Sequence, residues 1–143
     1  MTNQVPDSIE RELILPVPPG RVWDALTQPD QLSAWFGTSA TLDLRPGGNV
    51  TFTWDQPEHH GTNSGVIEVV EPPRRFAWRW RHGRDEGPAT RVEFVLDPHP
   101  QGTRLRMVES GFSSLPPDRR EGNQAGWEHE LADLADYLSP VSR

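Results

Sequence analysis

The chain has no cysteine and no lysine, and only one tyrosine among its 143 residues. Without cysteine there is no disulfide framework, no thiolate nucleophile and no cysteine-ligated zinc. All 14 basic residues are therefore arginine, against 21 Asp plus Glu, for a net charge of −7. Such a chain repels phosphate backbones, which makes nucleic acid a poor partner. It also lacks any apolar run long enough to span a bilayer, and Met1 to Asp7 show no basic stretch followed by an apolar core. The expected location is the cytoplasm, with no membrane insertion. Hydrophobic residues make up only 34%, yet 6 Trp and 5 Phe stand out among them. That balance favours a few bulky side chains arranged around a space. The length fits one domain, which would bury roughly 68–70% of its unfolded surface. We expect that domain over 8–139, with flexible termini at 1–7 and 140–143.

Periodicity assigns the elements. Ser8 to Leu15 alternates as a half-buried strand, with Arg11 on the inward register. Pro18-Pro19 suits the first turn of a helix, where a missing N–H costs nothing, and Val22, Trp23, Ala25 and Leu26 supply its apolar face. A second short helix starts at Pro29, carries Leu32, Trp35 and Phe36, and should stop at Gly37. Strands follow over Thr38 to Leu44 and Asn49 to Trp54, joined by the turn Arg45-Pro46-Gly47-Gly48. The polar stretch Asp55 to Ser64 reads as a mobile hairpin loop. Four more strands are expected over Gly65 to Val70, Arg75 to Arg81, Thr90 to Leu96 and Thr103 to Glu109. Phe76, Trp78, Trp80, Val92, Phe94, Leu96, Leu105 and Met107 share one face, while arginines and glutamates take the other. From Asp118 to Leu138 the period becomes helical, with Trp127, Leu131, Leu134, Ala135 and Leu138 in one stripe. Gly122 and Gly126 weaken the first half of that helix by roughly 1 kcal/mol each relative to Ala.

Several segments carry a resemblance in the right order: Pro18 to Thr27, Trp35-Phe36-Gly37, Asp43 to Gly48, Glu71 to Arg75, Gly102 to Leu105, Ser110-Gly111-Phe112 and Gly126-Trp127. Through them the chain resembles bacterial homologues of the activator of heat-shock protein 90 ATPase, within the START-like (SRPBCC, helix-grip) superfamily. The resemblance implies an α+β helix-grip fold: a curved antiparallel sheet of about seven strands, two short helices and a long C-terminal helix enclosing a cavity. It also implies a small hydrophobic ligand, lipid, polyketide or flavonoid-like, held in that cavity. Two alternatives come with it, a chaperone-linked or stress-response partner and a cyclase or dehydratase activity on the same fold.

Within that frame Trp54, Trp78, Trp80, Phe94 and Phe112 either line a site for a flat apolar ligand or pack as ordinary core. Trp35, Phe36 and Trp127 would sit at its mouth. Arg11 and Glu109 fall on inward registers of neighbouring strands, so they either form an internal ion pair, reach water, or anchor a ligand's polar head. The pair His59-His60 with Glu58 invites a metal reading, but adjacent residues of an extended chain point to opposite sides and no third ligand stands at recognisable spacing, so no metal is expected. His82, His99 and His129 read as solvated, and no cofactor is expected. For catalysis the candidates are Arg11, Glu109, His60 and an outward Glu68, none beside a nucleophile at motif spacing, so we designate no catalytic residue.

Overall fold

The computed structural model describes residues 7–36, 39–56, 59–82 and 89–139. In chain order these form β1 (Ser8–Leu15), α1 (Pro19–Thr27), α2 (Pro29–Phe36), β2 (Ser39–Leu42), β3 (Asn49–Gln56), β4 (His59–Glu71), β5 (Arg75–His82), β6 (Thr90–His99), β7 (Gly102–Ser110), a 3-10 turn (Phe112–Ser114) and α3 (Pro117–Leu138). The seven strands make one antiparallel sheet in the order β1-β7-β6-β5-β4-β3-β2. The chain enters on one edge, crosses to the other through α1 and α2, and returns strand by strand to pair with its own start. α3 then covers the inner face of the curved sheet, as the helix-grip arrangement requires.

Local chemistry accounts for the elements. Pro19 opens α1, and the Pro18 carbonyl accepts from the N–H groups of Arg21 and Val22 at 3.0 and 3.2 Å. Gly47 takes a positive φ of 85° in the turn before β3, which a side chain would resist. Next to it, a Cβ on Gly48 would lie 2.0 Å from the Asp43 carbonyl oxygen. In β6 buried and half-buried residues alternate without a break over Thr90 to Asp97. α3 buries Trp127, Leu131, Leu134 and Leu138, each apolar side chain contributing roughly 1.5–3 kcal/mol.

One segment departs from expectation. Asp55 to Ser64 is not a loop: β3 runs to Gln56 and β4 begins at His59, with Gln56 opposite His59 and Thr53 opposite Thr62. A ladder satisfies backbone N–H and C=O groups whatever the side chains are, and the alternation of Val50, Phe52 and Trp54 on β3 sets the register that polar β4 follows. The expected stop at Gly37, the Glu58 of the metal reading, most of the turn from His82 to Pro88 and both termini lie outside the described residues.

The outer face is a ladder of ion pairs. β4 bulges at Glu68, where pairing steps from Ile67 with Trp78 to Val69 with Ala77. Glu68 thereby reaches both Arg79 and Arg91, at 2.9 and 2.8 Å. Arg91 and Arg75 in turn share Glu93, at 3.0 and 2.7 Å. Ala77, outward on β5, is fully covered amid these long side chains. No described helix is long and apolar enough to cross a membrane.

Candidate ligand site between the sheet and the C-terminal helix

The inner face divides into an apolar end and a polar end. Phe76, Leu96, Leu105 and Leu15 form the first, beneath α1, whose Trp23 meets the Phe76 ring at 6.0 Å. At the other end, buried polar residues stand side by side on four strands: Asn63 on β4, the Trp80 indole on β5, Thr90 on β6 and Glu109 on β7. Alternation puts them there, since each occupies an inward register position next to a large apolar residue.

Glu109 has no exposed surface, and donors from both layers converge on it. Oε2 accepts from Trp80 Nε1 at 3.0 Å and from the Thr90 hydroxyl at 2.5 Å. Oε1 accepts from Trp127 Nε1 at 2.7 Å. Asn123 Nδ2 lies 3.2 and 3.3 Å from the two oxygens. Two strands and two successive turns of α3 therefore meet at one carboxyl group. Thr90 and Asn123 escaped notice in the sequence, where the available signal was the four-residue spacing of Asn123 and Trp127 on one helix face.

Beside this group the rings form a continuous wall. Trp78 meets Phe52, Phe76, Trp80 and Phe94 with centroids 5.3 to 5.6 Å apart. Phe36 of α2 and Trp127 of α3 roof it, stacked on each other at 5.7 Å, and Trp127 also touches Phe94 at 6.0 Å. Trp54 joins through Phe36 at 5.5 Å. At this level rings bridge directly from sheet to helices. The Trp78 Nε1 donor is buried there without a hydrogen-bond partner among the described residues.

The remaining expected site residues stand elsewhere. Arg11 keeps its inward register, but its guanidinium turns to Glu128 on the helix surface at 2.7 Å. The residue opposite Glu109 is Ile9, and Arg11 pairs with Glu128 where an internal pair with Glu109 is one expectation. A long arginine on an edge strand reaches past the core to water and a helix carboxylate, which costs less than burying its charge. Trp35 is buried between the short helices and donates Nε1 to the Ala25 carbonyl at 2.8 Å. Phe112 is fully buried in the 3-10 turn after β7. Glu68 is outward, in the ion ladder, and the His60 side chain lies outside what the structure describes.

The two halves of α3 are held differently. None of residues 118–126 is buried, and both Gly122 and Gly126 face solvent inside an unbroken helix. What fixes this half is polar: Arg120 donates to the Ser8 carbonyl at 3.1 and 2.9 Å, and Asn123 to Glu109. Further along, Glu130 is half-buried, with Oε1 lacking a partner among the described residues. Desolvation, followed by the nearby Asp133 charge, pushes its carboxyl up to about 8. It lies in one turn with His129, which pairs with Asp133 at 3.3 Å.

Comparison with solved structures gives the same architecture. Protein MLL2253 from Mesorhizobium loti superposes with a TM-score of 0.80 at 25% identity, over 95% of this chain and 99% of that one. For CV1439 from Chromobacterium violaceum the values are 0.77 and 26%, over 95% and 100%. CalU16 from Micromonospora echinospora gives 0.70 and 29%, over 93% and 75%. No curated protein matches the sequence. The family model described as Activator of Hsp90 ATPase homolog 1-like protein matches residues 16–139. With that match across the sheet, the short helices and the gripping helix, the chain belongs to the Activator of Hsp90 ATPase homolog 1-like family of the helix-grip fold.

Proposed function

We propose that this protein binds a small hydrophobic molecule, of the lipid, polyketide or flavonoid-like kind, between the inner face of the sheet and α3. The observation that carries the reading is a buried aromatic wall closed by a half-helix that buries no residue between 118 and 126. Its polar contacts contribute about 0.5–1.5 kcal/mol each, whereas Leu131, Leu134 and Leu138 anchor the second half at roughly 1.5–3 kcal/mol each. The first half is thus the cheaper one to lift. A flat ligand entering there exchanges the stacking of Phe36 on Trp127 for stacking on itself, so the apolar area stays covered. Glu109, Thr90 and Asn123 face its polar end, and Trp54, Trp78, Trp80 and Phe94 its body.

Tryptophan emission tests the proposal, because four of the six tryptophans, Trp54, Trp78, Trp80 and Trp127, belong to this wall or its roof. Titration with flavonoids, fatty acids and polyketides should shift or quench emission for at least one class and raise the melting temperature with ligand concentration. Unchanged emission and melting across the panel would remove the reading. Native mass spectrometry of the purified protein adds an independent check, by the extra mass of a retained ligand.

A further inference from the structure

Trp78 is 1% exposed, and its Nε1 donor has no partner among the described residues. Buried donors without acceptors are rare, and each costs about 1–3 kcal/mol. Its described cross-strand and ring neighbours offer no side-chain acceptor. Its cross-strand neighbours are Ile67 and Val92, and its ring neighbours include Phe52, Phe76 and Phe94. Trp80, also adjacent, directs its own N–H to Glu109. A trapped water needs two to four polar partners, which rings and aliphatic side chains do not supply. An N–H directed at the face of Phe76 or Trp80 is a second-order interaction and leaves the donor available to a true acceptor.

Resting on the ligand-binding reading above, we propose that Trp78 Nε1 is the specificity donor of the site, and that the ligand presents a neutral carbonyl oxygen, ketone or quinone, to it. The wall selects flat, apolar bodies, and the lone donor selects those with an acceptor on the body itself. A carboxylate would bring a full charge among rings with one hydrogen bond to compensate it, against a chain of net charge −7. A ketone needs one donor and finds one. Fatty acids are therefore disfavoured relative to polycyclic ketones of similar apolar area.

The probes are 9-fluorenone and fluorene, which share size and flatness and differ in the carbonyl. Each is titrated into protein carrying nitrogen-15 in its indoles, with the Trp78 signal assigned by its loss in Trp78→Phe. The expected result is about tenfold tighter binding of fluorenone, equivalent to one good hydrogen bond. Its binding should move the Trp78 indole proton downfield, and in Trp78→Phe the two affinities should converge. Equal affinities in the parent protein with an unmoved Trp78 signal would overturn the donor role while leaving apolar binding intact. Binding of neither probe, with the flavonoid, fatty-acid and polyketide panel equally silent, would overturn both; binding of neither probe with a member of that panel bound would overturn the ketone preference alone. Thermal unfolding of Trp78→Phe confirms that it folds, and the indole shift needs only the parent chain.

Discussion

Replacing Glu109 by Gln tests whether one carboxyl group ties α3 to the sheet. Gln keeps the shape but exchanges one acceptor oxygen for a donor. If its carbonyl takes the Oε2 position it still serves Trp80 and Thr90, and the Trp127 N–H then faces an NH2 group. In the reverse orientation Trp127 is served, the Thr90 hydroxyl can turn to accept, and the Trp80 N–H is orphaned. Either way one buried indole donor is left unpaired and the Asn123 contact is weakened. At about 1–3 kcal/mol for the orphan and up to about 1 kcal/mol for the weakened contact, the loss comes to roughly 2–4 kcal/mol. Urea unfolding at pH 7 reads it as a lower midpoint with an unchanged slope. Amide exchange should accelerate first over 118–127, because this half of α3 buries no residue before Trp127. A Glu109→Gln midpoint equivalent to less than about 0.5 kcal/mol of destabilisation would refute the latch, as would uniform acceleration along all of α3.

Leu134→Ala, at a fully buried position of α3, should cost about 2–5 kcal/mol in the same urea assay, with little change in ligand affinity. On the outer face, desolvation raises the Glu93 carboxyl, but hydrogen bonds from Arg75 and Arg91 outweigh it and hold the group below its ordinary 4.5. A lowered folded-state value means stability that is present above pH 4.5 and lost as pH falls through the folded value. Glu93→Gln should therefore flatten the acid limb of the stability profile and cost about 1 kcal/mol or less at neutral pH, since the pairs are partly solvated. Glu130 has the opposite sign. With its carboxyl raised from 4.5 to about 8, the folded state holds the proton more tightly, so stability declines as pH rises between those values. Glu130→Gln should raise the melting temperature at pH 8 more than at pH 5, by the equivalent of about 1–2 kcal/mol after allowance for partial exposure. An equal gain at both values would contradict the raised carboxyl.

Periodicity was enough to read most of the fold. Strict alternation in β6 and the stripe of Trp127, Leu131, Leu134 and Leu138 in α3 depend on neighbours along the chain, and burial follows those periods in the structure. Pro18-Pro19 likewise marked the start of α1 by a backbone property of proline alone. The family resemblance rested on turns and core aromatics of this kind, which is why it identified the architecture. It said little about chemistry, which lies in pairings between distant segments.

The polar half of β4 was illegible because a strand can be specified by its partner instead of by its own residues. Arg11 shows the same limit. Its inward register follows from alternation, but whether it meets Glu109 or Glu128 depends on where α3 lies over the edge strand. The convergence of Trp80, Thr90, Asn123 and Trp127 on Glu109 needs three adjacent strands in one register and one rotation of the helix. The partial burial of Glu130 needs the same rotation. By itself, then, the sequence determined which residues face inward, since side-chain direction is a local consequence of backbone period. Which of those inward residues meet was decided only by the tertiary structure, because hydrogen bonds and desolvation depend on distances of a few ångströms between segments far apart in the chain.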